Sequence, residues 1–190
     1  YENHHYGYAS PLFYSDVFLI IPALLHLCGA SLAFSYQLTV GIASFLSAYA
    51  MIQLAMHITN NRGISYIASC TYLFSNYRIT DVYVRGALGE IFAFAFLPYM
   101  LLGIYQIIYK NGSWITLTIS LTFLALSHNL TFLMASILCA ILCIISIPRL
   151  NKEKYIHIFL YVFFVSLLSS FFPITTIQLL RSQNFIMHHY

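Results

Sequence analysis

The chain has 190 residues, a formal net charge of +3 and only 7% charged residues, against 61% hydrophobic ones. Soluble domains run about 45–50% apolar and about 25% charged, so this balance, with a mean hydropathy of +0.81, excludes an ordinary soluble domain and points to a membrane protein. Eight Lys and Arg spread over such a chain also exclude a nucleic-acid binder.

The first element, "PLFYSDVFLIIPALLHLCGA" at residues 11–30, is long enough to span, but Asp16 and Pro22 interrupt it. Hydropathy leaves open a span or a helix lying in the membrane interface. The interfacial form keeps the aromatic "YENHHYGYASPLFY" on the same face as the charged run further on. Asp16 after an aromatic run reads better as a helix cap than as a functional carboxylate. A spanning helix needs about 20 apolar residues, and "LTVGIASFLSAYAMIQLAMHI" at 38–58 meets this. A shorter span at 63–77 follows, then one at 87–109 containing Pro98, which frees a backbone carbonyl and predicts a kink. The apolar run at 113–147 is too long for one helix; a break at Ser127-His128-Asn129 divides it into a helical hairpin. A last span covers 155–177. The expected fold is all-α: a polytopic bundle of about six spans with an N-terminal interfacial helix.

The cations orient it. Alternating sides puts Arg62, Lys110, Arg149, Lys152 and Lys154 on one face, read as cytoplasmic. Arg78, Arg85 and Arg181 fall on the other, with His128 and Asn129. The outer face therefore carries "RITDVYVRGALGE", which gathers Arg78, Asp81, Arg85 and Glu90 in one short run. On a helix Arg78, Asp81 and Arg85 share a face, and Glu90 joins them only if Gly86 or Gly89 breaks the helix. Ionisable groups near a bilayer are expensive and face polar cavities. Two guanidinium forks suit a phosphate, and a carboxylate between them can hold them, bind a cation or move a proton. The plain alternative is an i, i+4 ion pair with Arg78 reaching the headgroups, and a helix cap at His128.

Other features carry less. Cys28, Cys70, Cys139 and Cys143 lie in apolar runs and read as small buried hydrophobes. His4-His5 and His188-His189 lack metal-ligand spacing, and no metal site is expected. Asn129-Leu130-Thr131 matches the glycosylation pattern but falls in a tight turn. No nucleophile elbow, phosphate loop or dinucleotide fingerprint occurs.

Three stretches, "GYASPLFYSDVFLIIPALL", "YRITDVYVRGALGEIFAFAFLPYMLLGIY" and "LALSHNLTFL", together resemble the bacterial integral membrane domain called 6-pyruvoyl-tetrahydropterin synthase-related, and "LLSSFFPITTIQ" is similar to its later helix. Nothing resembles a soluble pterin enzyme. The wider likeness is to the GT-C superfamily of membrane glycosyltransferases. That resemblance implies one fragment of a larger bacterial cell-membrane domain: an outer loop and interfacial helix at 1–36, six spans over 37–177 and an outer segment from 178 to 190. It implies sugar transfer from a polyprenyl-phosphate donor, with membrane lipids as partners and no nucleic acid. Asp81 and Glu90 become the catalytic carboxylates; Arg78, Arg85, His128 and Asn129 become ligands of the lipid phosphate. Tyr14 and Asp16 belong to the interfacial loop, and a divalent cation cofactor stays open. The family's first-loop carboxylate has only Glu2 as a stand-in and is expected before Tyr1. A lipid-linked glycan transporter and a non-catalytic assembly subunit remain alternatives.

Overall fold

The structure, a computed structural model, describes residues 17–110, 112, 114–149 and 152–169. Tyr14, Asp16, Arg181 and the segment expected at 178–190 lie outside the described residues. Those described form eight α-helices and no strand. They are α1 (Ile20–Leu27), α2 (Leu32–Thr59), α3 (Arg62–Leu73), α4 (Asn76–Thr80), α5 (Leu88–Tyr109), α6 (Ile115–Ser127), α7 (Asn129–Ile145) and α8 (Lys152–Ser169). A π-helical turn, Asp81–Arg85, joins α4 to the loop before α5.

Helix α5 is the central element, packed on α2 along one side and α6 along the other. Helix α3 returns along α2, and α7 and α8 flank α6. The ends are set by local chemistry. Ser31 and Asn61 accept hydrogen bonds from Phe34 N and Ile64 N and so cap α2 and α3, while Asn60 closes α2 in the left-handed conformation.

Among the described residues only α2, 28 residues and about 42 Å, and α5, 22 residues and about 33 Å, are long and apolar enough to cross a hydrocarbon core of about 30 Å. The expected span at 63–77 is instead a 12-residue helix, α3, that stops at Phe74 before α4 begins. The hairpin expected at 113–147 does break at His128, but into helices of 13 and 17 residues, shorter than a full crossing. Six full-length crossings are thus not what the described residues contain.

The N-terminal segment is a short 3-10 turn, Val17–Leu19, running into α1. Its anchor is Phe18, stacked 4.2 Å from Phe92 and packed near Phe96 and Phe123. Pro22 falls in the first turn of α1, where a missing N–H is tolerated.

Two apolar clusters hold the bundle. One joins α5, α6, α7 and α8 through Met100, Ile104, Leu117, Leu121 and Cys139. The other joins Phe18, Ala43, Leu88, Ile91 and Phe92. Small residues let the helices approach closely. A Cβ on Gly103 would stand 2.6 Å from Leu117 N, the small-residue packing favoured between membrane helices.

Pro98 leaves α5 continuous from Leu88 to Tyr109. The carbonyl it deprives of a partner is that of Phe94, four residues earlier, and the Tyr72 hydroxyl of α3 donates to this oxygen at 2.7 Å. The proline defect is thereby turned into an α3–α5 tether. Tyr72→Phe should lower stability by about 1–3 kcal/mol, the usual effect of orphaning a buried acceptor. In a Pro98→Ala background, where the alanine supplies its own N–H, the same change should have little effect. A double-mutant cycle of thermal midpoints checks this; equal losses in both backgrounds would show that the carbonyl is not the reason.

Candidate functional site at the charged end of the bundle

Arg78, Asp81, Arg85, Glu90 and His128 all lie at one end of the bundle, where α5 starts and α6 ends. The residue that brings them together is Gly86. It adopts φ +63°, and its N–H closes the π turn on Asp81 O at 2.8 Å. The wide turn and left-handed residue redirect the chain, so Glu90 folds back under Arg85. Of the two glycines expected to break the helix, Gly86 does so. Gly89 has a different duty: a Cβ there would land on the Ser127 carbonyl oxygen, so the start of α5 lies directly against the end of α6.

Arg85 and Glu90 form a bidentate pair, Nη2 to Oε1 at 2.5 Å and Nη1 to Oε2 at 2.7 Å. Glu90 is 5% exposed and Arg85 44%. The Tyr77 hydroxyl completes the cluster, donating to Glu90 Oε2 at 2.8 Å and accepting from Arg85 Nη1 at 3.2 Å. These hydrogen bonds hold the Arg85 guanidinium above its ordinary pKa.

Asp81 is different. It is fully buried, and neither carboxylate oxygen has a hydrogen bond. Its nearest cation is Arg85 Nη1, 3.7 Å from Oδ1, too long for a hydrogen bond. Burial, then the negative charge of Glu90, push its pKa up to about 6, only partly opposed by Arg85 and Arg78. Both effects favour the protonated form of Asp81 in the folded protein.

Arg78 turns inward and is 6% exposed. Its Nη1 donates to Leu73 O at the C-terminus of α3, and its Nη2 to Ser44 Oγ on α2 at 2.7 Å. It caps one helix and ties it to another, a duty its shared face with Arg85 did not suggest. A widened turn puts the two side chains on different surfaces.

His128 ends α6 and caps α7 with extended backbone, φ −152°. Its Nδ1 accepts from Thr131 N at 3.3 Å, which leaves the proton of the neutral ring on Nε2, 3.5 Å from Glu90 Oε1. Burial lowers its pKa despite that carboxylate. Asn129 opens α7 and is half-buried beside it. The structure thus joins Asp81, Arg85, Glu90 and His128, turns Arg78 inward onto Leu73 and Ser44, and adds Tyr77, which pattern alone did not mark. Its signal was an aromatic hydroxyl one residue before Arg78 in an otherwise charged run.

Next to Glu90 an apolar cleft of about 290 Å³ opens between α5 and α7, lined by Tyr77, Phe94, Leu97, Thr131 and Met134 among others. No cluster of three or more His, Cys, Asp or Glu suited to a metal exists among the described residues. Comparison with protein-family models, curated proteins and solved structures gives no match.

Proposed function

We propose that the chain is part of a multi-pass bacterial membrane protein that handles a polyprenyl-phosphate-linked sugar at its charged end, in the manner of the GT-C transferases it resembles. The observation that carries this is a half-exposed guanidinium, Arg85, paired with Glu90, which itself lines an apolar cleft, while a buried carboxylate lacking any hydrogen bond, Asp81, lies 3.7 Å from the same guanidinium. A phosphate attracts the Arg85 fork away from Glu90, because two phosphate oxygens reproduce the carboxylate geometry. The isoprenoid chain lies along the cleft between α5 and α7. With Arg85 displaced, Glu90 and Asp81 become reachable, and one of them takes the proton of the acceptor hydroxyl as it attacks the anomeric carbon. Arg85 stabilises the departing phosphate. The shorter helices α3, α6, α7 and α8 enter the membrane beside α2 and α5 without each crossing it, with the charged end outward.

Equilibrium binding of polyprenyl phosphate to the purified chain tests this without requiring an acceptor. Wild type should bind it well above the neutral polyprenol. Arg85→Lys, which keeps the charge but loses the fork, should bind about tenfold more weakly. Equal binding of phosphate and alcohol would remove the proposal.

One observation favours a second reading, that of an assembly subunit. The Arg85–Glu90 pair, the Tyr77 bridge and the Arg78–Ser44 link tie α2, α4 and α5 together. On that reading Arg85→Lys changes the amount of folded protein and leaves lipid binding where it was.

A further inference from the structure

The end of the bundle remote from Asp81 holds a larger and chemically different cleft, about 840 Å³, between the C-terminal parts of α2 and α5. Gln53, His57 and Asn60 line it from the α2 side at i, i+4 and i+7, one face of a helical path. Tyr105, Gln106 and Lys110 face them from α5. These are long polar side chains on two helices that are otherwise apolar enough to cross a bilayer. Gln53 and Gln106 are half-buried, Asn60 and Lys110 are exposed at the helix ends, and among the described residues no protein hydrogen bond engages these four side chains, so their donors face the cleft's occupant. His57 is oriented by its own helix, Nδ1 lying 2.9 Å from Gln53 O, which directs Nε2 away from that backbone.

The lining has a definite electrostatic sign. None of its residues carries a carboxylate; it offers one ammonium, three amides, a phenol and an imidazole. The C-termini of α2 and α5 contribute partial negative charge here, offset by Lys110, by exposed Arg62 and by Lys154, which caps Ile108 O at 2.8 Å. Met56 and Ile58 give the same cleft an apolar side.

We infer that this cleft binds the phosphate-bearing headgroup of an anionic membrane lipid. Lys110 takes the phosphate charge, and the Gln53, Asn60 and Gln106 amides donate to its oxygens and to headgroup hydroxyls. Met56 and Ile58 receive the glyceryl and upper acyl region. The site is separate from the Asp81–Arg85 cluster and does not rest on the reading proposed for it.

The test is thermal stabilisation of the purified, detergent-solubilised chain by added phosphatidylglycerol, phosphatidylcholine or inorganic phosphate. Wild type should be protected by phosphatidylglycerol well beyond phosphatidylcholine. Lys110→Gln should weaken the phosphatidylglycerol response about fivefold, the usual effect of one cation at an anionic surface, while its midpoint without lipid stays unchanged. Gln53→Leu removes a donor but no charge and should also erode the preference, which a diffuse surface field would not explain. Protection by inorganic phosphate to the same extent would keep the anion chemistry and identify a soluble ligand. Equal protection by the two lipids, or an undiminished preference in both variants, overturns the inference.

Discussion

Asp81→Asn should give a protein that is more stable than wild type above pH 6 and binds polyprenyl phosphate at least as tightly, and that, on the proposed transferase reading with Asp81 as the base, has lost turnover. The reasons are separable. Asp81 is fully buried and has no hydrogen bond at either oxygen, so its ionised form is poorly solvated. Its pKa is raised from 3.8 to about 6 in the folded state. Between those values the folded protein holds a proton that the unfolded chain has released, so stability is full below about pH 4 and falls as pH rises to about 6. The loss amounts to about 3 kcal/mol at most, taking 1.36 kcal/mol for each unit of difference. Asparagine copies the protonated acid in shape and polarity and does not ionise, so the variant escapes the loss at neutral pH. Removing a negative charge beside Arg85 does not weaken an anion site. On the proposed reading, with Asp81 as the base, its loss removes the proton acceptor.

His128 must be allowed for, because its slope has the opposite sign. Its pKa is lowered by burial, so its contribution to stability is present above the ordinary imidazole value and is lost as pH falls. The quantity to measure is therefore the difference in unfolding midpoint between wild type and Asp81→Asn from pH 4 to pH 8. That difference should open between pH 4 and 6 and then stay constant. A pH-independent difference would show that Asp81 titrates alike in the folded and unfolded chain, and a variant less stable throughout would show that its carboxylate makes contacts asparagine cannot replace; either makes Asp81 a structural residue. An assembly subunit would show the stability change with no activity to lose.

The second large effect is steric. Gly89→Ala and Gly103→Ala should each destabilise the bundle by about 2–3 kcal/mol, near the upper part of the usual range for forced overpacking. Both added methyls meet backbone rather than movable side chains: the Ser127 carbonyl for Gly89, and Leu117 N and Cα at 2.6 and 2.8 Å for Gly103. Helices α5 and α6 must part in either case. The consequences for the site differ. Gly89 is adjacent to Glu90, so parting the helices there also draws Glu90 away from His128, and lipid-phosphate binding should fall with stability. Gly103 lies more than three turns along α5, and its variant should lose stability alone. Gly41 in α2 is the control, since nothing stands within 4 Å of an added Cβ. Gly41→Ala should be neutral or stabilising by roughly 0.5–1 kcal/mol, from reduced freedom of the unfolded chain. Thermal midpoints and lipid binding on all three distinguish the outcomes; equal behaviour of Gly89→Ala and Gly103→Ala would mean that the α5–α6 contact does not position the site.

Much of this architecture was legible in the sequence. Apolar runs and their polar interruptions specify helices, because backbone groups in an apolar chain must bond within their own segment. Apolar length found α5 nearly to its ends and the C-terminus of α2, whose start at Leu32 lies six residues before the expected span; the polar break fell at His128, and Arg78, Asp81, Arg85 and Glu90 were grouped as the charged end. Helix length was harder. Hydropathy over 63–77 did not register the stop at Phe74 or the restart at Asn76, which depend on Arg78 reaching back to Leu73 O and across to Ser44.

What only the tertiary structure decided is which charge meets which. By spacing, Asp81 and Arg85 are i, i+4 partners, yet Arg85 takes Glu90 and leaves Asp81 without a hydrogen bond. Tyr72 finds the carbonyl freed by Pro98, and Gly89 fits against Ser127, neither of which any local pattern announces. The physical reason is competition. Helix formation is settled among residues three or four apart, whereas the partner of a guanidinium, a hydroxyl or a bare Cα is settled by whichever distant group the packed helices bring within about 3 Å.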